Sequence, residues 1–232
     1  MTIKTVLFDA GNTLLTPAIP ESQVLSDAAA SLGVSIDAAV IEKHIPAMYE
    51  YYEVLFARDN SVWADDERAA DIWMEMYVYL CELVGIPEIG TQVARIGYET
   101  YKDPRSWTIF DDVMLTINAL QSQQIAIGII SNWDSTLASI IQGLGMTHHF
   151  DVIITSAVVG LHKPQQEIFK LALRELGAKG DETMYVGDHI HADARGSAGA
   201  GLLPVLIDRD NQHKDSEGFI RIQNLHDLLK YL

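Results

Sequence analysis

The chain has 232 residues, is 48% hydrophobic, and sets 16 Lys and Arg against 32 Asp and Glu, for a formal net charge of −16. That length holds one large domain or a domain with an insertion, and that charge opposes a nucleic-acid partner, because phosphate backbones are bound by basic faces. No stretch is apolar for long enough to predict a transmembrane helix, so no membrane partner is expected.

The first residues enter a strand pattern directly, with no basic-then-apolar leader, so no signal peptide is read. The apolar run Val6 to Phe8 carries Asp9 at its end, and Gly11, Asn12 and Thr13 then turn the chain. Pro17 and Pro20 mark a linker, and from Glu21 to about Asp103 the pattern is helical. Val24, Ala28 and Leu32 share a face, with Gly33 as the stop. A second helix is expected over Asp37 to Asp59, bent at Pro46. A third runs from Trp63 to Leu83, with Ile72, Met76, Tyr79 and Leu83 on one apolar face. After Pro87 a fourth passes through Val93, Ile96 and Tyr101. Cys81, the single cysteine, reads as a small buried hydrophobe and can form no internal disulfide, which suits a reducing cytoplasm.

From Phe110 onward helices and strands alternate. Asp111 or Asp112 caps a helix whose Val113, Ile117 and Leu120 face inward. Ile125 to Ile130 reads as a strand buried on both faces, and Leu137, Ile140, Ile141 and Leu144 mark a helix stopped by Gly145. Val152 to Ile154 is a strand, Pro164 opens a helix as a first-turn proline, and Gly177 closes it. Met184 to Val186 and Pro204 to Ile207 are further strands. Phe219 to Ile222 adds a short edge strand before a C-terminal helix. The alternation predicts an α/β fold: a doubly wound parallel sheet, with a Rossmann-like core over 1–16 and 104–232 and an inserted all-helical cap over 17–103.

Four polar groups fall just past strand ends. They are Asp9, then Ser131-Asn132, then Lys163-Pro164, then Gly187-Asp188 with Asp193 a little later. In a parallel sheet these ends share one edge, so the groups converge on one crevice. Two or three carboxylates plus a backbone carbonyl form a hard oxygen site suited to Mg²⁺. Lys163, the Ser131 hydroxyl and the Asn132 backbone N–H, with Asn12 nearby, suit the oxygens of a phosphoryl group. Asp9 could then attack phosphorus in line and form an aspartyl-phosphate. His189 and His191 flank the metal loop but read as solvated, Trp133 either walls the crevice or packs beneath it, and Asp134 reads as a helix N-cap.

Asp9 through Leu14, Ser131, Lys163-Pro164 and Gly187-Asp188-x-x-x-x-Asp193 resemble the four ordered motifs of the haloacid dehalogenase-like hydrolase superfamily, in its helical-cap subfamily. Ile129-Ile-Ser-Asn-Trp-Asp134 further resembles one branch of it. The resemblance implies a hydrolase in which Asp9 is the nucleophile and Ser131 and Lys163 hold the leaving anion. It also implies Mg²⁺ on Asp9, the main-chain carbonyl of Gly11, and Asp188, with Asp193 acting directly or through water. The expected substrate is a small anionic, phosphorylated metabolite.

One position departs from the family pattern. Phosphatases of this family carry a second aspartate two residues after the nucleophile, as general acid and base; here that residue is Gly11. Losing a general acid–base group costs about 10²–10⁴ in rate, so good leaving groups, or an acid lent by Asp65, Asp66 or His44, are expected. Two other hydrolase readings tolerate Gly11. A 2-haloacid dehalogenase needs no proton for its halide, but the family's dehalogenases work without metal and lack the charged Gly-Asp motif retained here. A phosphonate hydrolase keeps the metal and uses a cap lysine, for which only Lys43 and Lys102 are at hand. A catalytically weak binding or regulatory protein is the remaining reading.

Overall fold

The computed structural model describes residues 2–213 and 218–232. Its strands are β1 (Thr5–Phe8), β2 (Leu15–Pro17), β3 (Trp107–Ile109), β4 (Ala126–Ser131), β5 (Val152–Thr155), β6 (Thr183–Gly187), β7 (Leu203–Ile207) and β8 (Ile220–Ile222). Six of them form one parallel sheet in the order β5-β4-β1-β6-β7-β8. The helices are α1 (Glu21–Ser31), α2 (Ala38–Glu42), α3 (Ile45–Arg58), α4 (Asp66–Leu83), α5 (Gly90–Tyr101), α6 (Val113–Ser122), α7 (Leu137–Gly143), α8 (Ser156–Val159), α9 (Gln166–Leu176) and α10 (Gly196–Gly199).

Alternate residues of the central strands point to opposite faces, and both faces are covered. Val6 and Phe8 of β1 join Ile127, Ile129, Met184 and Val186 in a core closed by Ile117 and Leu120 of α6, Ile140 and Ile141 of α7, and Leu225 and Leu228. Leu7, Ile130 and Tyr185 face the other way, onto Ile168, Phe169 and Ala172 of α9. Such strands must be apolar throughout, which is why the short runs at 6–8, 127–130 and 184–186 were legible. Gly33, Gly145 and Gly177, read as helix stops, have φ of 84°, 72° and 61°, values that glycine adopts without steric cost.

Several local expectations are corrected. Pro17 does not lie in a linker; it ends β2, which pairs antiparallel with β3 in a separate two-stranded ribbon. Pro tolerates such an edge position. The helix expected over Asp37 to Asp59 is two helices, parted at Lys43-His44, and Pro46 sits in the first turn of α3 instead of bending a longer one. Residues 60–64 form a 3₁₀ turn, so α4 starts at Asp66, with Asp65 as its cap. The buried face of α4 is Ala69, Ile72, Met76, Tyr77, Leu80 and Cys81; Tyr79 and Leu83 stand at its edge. On α5, Val93 and Tyr101 are buried while Ile96 is only partly so. Pro164 precedes α9, in a cis peptide after Lys163. The chain ends in a 3₁₀ helix, Leu225–Tyr231.

Asp112 stands at the start of α6 without capping it by its side chain. Its carboxylate instead accepts from Arg209 (2.9 and 3.1 Å) and from the Leu225 N–H (2.8 Å). Cys81 is buried, and burial pushes its thiol up to about 11. Among the described residues no helix is long and apolar enough to cross a membrane.

Candidate active site

The register of the sheet brings the site together. Phe8 lies beside Ile129 on one side and Val186 on the other, so Asp9 leaves β1 level with the ends of β4 and β6. The Asp9 N–H donates to the Val186 carbonyl at 2.8 Å, holding the strand extended up to the acid. Asp9 Oδ1 accepts from Ser131 Oγ at 2.8 Å and from Lys163 Nζ at 2.6 Å. Its Oδ2 is left without a hydrogen bond among the described residues.

Lys163 is 2% exposed, and its three ammonium hydrogens are all used. They reach Asp9 Oδ1 and Asp193 Oδ1, both at 2.6 Å, and the Tyr185 hydroxyl at 3.0 Å. Burial alone would lower the Lys163 pKa, but the charges of Asp193 and Asp9 outweigh it and raise it. Tyr185 in turn donates to the Ile130 carbonyl at 2.8 Å. No motif marks Tyr185 in the sequence; its signal there is a polar tip in an otherwise apolar strand. Asn132 holds the Lys163 main chain from both sides, its Oδ1 accepting from Lys163 N (2.8 Å) and its Nδ2 donating to Lys163 O (3.0 Å).

After β6 the chain winds through a π-helical turn, Ile190–Arg195, which folds Asp193 back beneath the strand. Asp193 Oδ2 accepts from the His189 N–H at 2.9 Å, so both its oxygens are engaged. Gly187 permits this approach: a Cβ there would collide with the Asp193 carboxylate. His189 caps the turn through Nδ1, and its Nε2 lies 3.2 Å from Glu53 of α3. Burial opposes protonation of this imidazole, yet Glu53 and Asp193 outweigh it and raise its pKa. His191 is exposed.

Carboxylate oxygens of Asp9, Asp188 and Asp193 lie within 4.8 Å of one another. Asp188 has no hydrogen-bond or ion-pair partner among the described residues. Burial and then the charges of Asp9 and Asp193 push it up to about 7. Burial also raises Asp9, against the attraction of Lys163. Three clustered acids, one of them unpartnered among the described residues and held above the usual carboxylate range by burial and the charges of the other two, suit a hard divalent cation. The Gly11 carbonyl already accepts from the Thr13 N–H at 2.6 Å, which leaves it one lone pair. Asn12 holds the tight turn with a φ of 51°, its N–H on the Leu15 carbonyl at 2.8 Å. Arg209, which no sequence motif marks, clasps that turn through the Asn12 and Thr13 carbonyls.

These groups open on a cavity of about 180 Å³ lined by Asp9, Gly11, Asn12, Ser131, Asn132, Lys163, Asp188 and Asp193. Its other walls come from the helices between 21 and 101, through Glu21, Tyr49, Trp73, Tyr77 and Tyr101. Trp133 is a wall of the crevice, its ring 4.9 Å from that of Trp107. A Cβ on Gly11 would stand 3.3 Å from Trp133 Cζ3, so the indole crowds the space a longer residue 11 would need. Of the residues expected to lend an acid, Asp65 and Asp66 are engaged elsewhere. Asp65 caps α4, Asp66 accepts from the Ser135 N–H at 2.7 Å, and none of Asp65, Asp66 and His44 lines the cavity. Asp134 does not act as the cap of α7, which starts after Thr136; it binds the Thr136 N–H at 3.0 Å and accepts from Tyr98 of α5 at 2.8 Å.

A family model described as haloacid dehalogenase-like hydrolase matches residues 3–201. The human haloacid dehalogenase-like hydrolase domain-containing protein 3 is 26% identical over 208 residues, covering 88% of this chain and 82% of that one. A phosphoserine phosphatase of Thermus thermophilus is 25% identical over 237 residues, covering 93% and 92%. The magnesium-bound HAD-hydrolase YfnB of Bacillus subtilis superposes with a TM-score of 0.82 at 19% identity, over 100% of this chain and 99% of that one.

Proposed function

This chain belongs to the haloacid dehalogenase-like hydrolases, and from that premise we propose that it is a Mg²⁺-dependent phosphohydrolase acting through an aspartyl-phosphate on a small phosphorylated metabolite. The observation that carries the reading is Asp9. One of its oxygens is pinned by Ser131 and Lys163, and the other is free at the rim of a cavity beside two more carboxylates.

In the first step Asp9 Oδ2 attacks phosphorus in line, and the P–O bond to the leaving group breaks with its electron pair on the leaving oxygen. Lys163 and Ser131 hold Asp9 at a fixed angle and offset charge on the phosphoryl oxygens. In the second step water attacks the same phosphorus and returns Asp9 as a carboxylate, releasing inorganic phosphate. A Mg²⁺ ion held by Asp9, Asp188 and the Gly11 carbonyl, with Asp193 beside it, would offset the repulsion between carboxylate and phosphate. Gly11 has no side chain to protonate the leaving group, so acyl and aryl phosphates are the favoured substrates. The helices within 17–103 would serve as a cap, because their aromatic side chains close the far wall of the same cavity. A hydrolase with phosphatase-named relatives of similar length supports the substrate class.

The test is a Mg²⁺-dependent panel of acetyl, aryl and sugar phosphates, with 2-chloropropionate and a phosphonate alongside. Turnover of acyl and aryl phosphates, abolished by EDTA and by Asp9→Asn without loss of fold, is expected. Halide release at full rate in EDTA would establish a dehalogenase instead. Silence across the panel would favour a binding protein.

A further inference from the structure

Away from Asp9, four helices of the 21–101 stretch meet around one carboxylate in the same cavity. Glu21 opens α1, and its Oε2 accepts from the Tyr49 hydroxyl of α3 at 3.0 Å. Its Oε1 accepts from the Tyr77 hydroxyl of α4 at 3.1 Å. Tyr101 of α5 stands close by, its hydroxyl on the Ile19 carbonyl at 2.8 Å. The charge of Glu21 raises the pKa of all three phenols, after the larger effect of burial.

No ion pair reaches Glu21 among the described residues. Lys102, a basic side chain along that wall, is 3.2 Å from Glu99 and packs over the Tyr98 ring at 5.3 Å. Glu21 is half-buried, and burial raises its pKa against the two phenol hydrogen bonds; a cation beside it would favour the charged carboxylate. The walls around it are aromatic, with the Trp73 and Tyr77 rings 5.9 Å apart and both lining the cavity. Aromatic faces attract cations through the ring quadrupole, so the carboxylate and the rings favour the same kind of ligand.

We propose that Glu21, with the aromatic side chains around it, is a specificity site for the positively charged end of the substrate, an ammonium group on a phosphomonoester whose phosphate sits at Asp9. This rests on the phosphohydrolase reading for the phosphate end and on Glu21 alone for the cationic end. A molecule charged oppositely at its two ends would meet Lys163 and any bound cation at one end and, at the other, an acid held by phenol hydrogen bonds alone among the described residues. That pairing also rejects phosphates whose far end is anionic, because Glu21 would then face a like charge.

The test uses the full chain with saturating Mg²⁺ and reads quenching of tryptophan fluorescence by choline and by its neutral isostere 3,3-dimethylbutanol. Choline should bind wild type at least tenfold more tightly than the isostere, and Glu21→Gln should remove that preference. Rates follow on 4-(trimethylammonio)phenyl phosphate, 4-tert-butylphenyl phosphate and acetyl phosphate, whose leaving groups need no acid at residue 11. A loss in kcat/KM of tenfold or more on Glu21→Gln is expected for the trimethylammonio phenyl phosphate only. Equal binding of choline and the isostere by wild type, or a rate loss shared by all three phosphates, overturns the proposal. The wild-type comparison needs no variant, so a poorly folding Glu21→Gln cannot hide the result. The binding arm needs no chemistry at Asp9: Glu21-dependent choline binding without turnover of any phosphate defeats the phosphohydrolase reading and supports this site. Turnover without charge preference does the reverse.

Discussion

Replacing Asp188 with Asn should make the metal-free protein more stable, not less, and should do so in a pH-dependent way. In the folded chain Asp188 is pushed from 3.8 up to about 7. A carboxyl whose folded pKa lies above its unfolded value holds its proton longer when folded. Its favourable contribution is therefore complete below the unfolded value and is lost as pH rises through the folded one, here between about pH 4 and 7. A shift of that size corresponds to about 4 kcal/mol. Asp188 is partly open to the cavity, and water there screens the repulsion, so a figure nearer about 2 kcal/mol is expected. For a chain of this length that is roughly 4–8 °C in Tm. Thermal melts in EDTA at pH 8 should show Asp188→Asn above wild type by that margin, with the gap narrowing at pH 5. Saturating Mg²⁺ should raise wild type at pH 8 and leave the variant nearly unmoved. A variant that melts below wild type in EDTA at pH 8, or an equal Mg²⁺ response in both, would refute the idea that like-charge crowding at this point makes the cation site.

Lys163→Met leaves Asp9 and Asp193 buried without their cation, and urea unfolding should show a loss of about 3–5 kcal/mol; a loss below about 1 kcal/mol, the range of exposed pairs, would remove the ion pair from the fold's support. Gly11→Asp alone should give no faster turnover of alkyl phosphates, because Trp133 crowds the new side chain. The same change in a Trp133→Leu background should accelerate alkyl monoesters by about 10²-fold, the lower end of general acid–base gains, and a single variant as fast as the double one would show that the indole is no obstacle. Gly187→Ala should displace Asp193 and cost about 1–3 kcal/mol through overpacking, with the half-maximal Mg²⁺ concentration for turnover rising; an unchanged metal requirement would detach Asp193 from the site.

Most of the sheet was legible because its signal is local. A parallel strand buried on both faces must be apolar along its length, and a glycine at positive φ ends a helix wherever it falls. Asp9, Ser131 and Asp188 could be listed in order because each stands at the end of such a strand, and strand ends in a parallel sheet share an edge; Lys163 comes to the same edge only after β5 and the short helix α8. Pro17 and Pro46 misled because proline is compatible with a linker, an edge strand and a first helical turn alike. Only the neighbours of each proline decide among these.

What the sequence determined by itself is the set of chemical groups at the tips of β1, β4 and β6 and the missing side chain at residue 11. What tertiary structure alone decided is how those groups spend their hydrogen bonds. Tyr185 completes the coordination of Lys163, and Trp133 crowds residue 11. Glu21 meets Tyr77, a residue 56 positions away, in a wall of the same cavity. Periodicity reports which face of an element is buried but not which distant element covers it. The partner of a polar group in this cavity is set by the packing of whole helices, and no short window of residues encodes that.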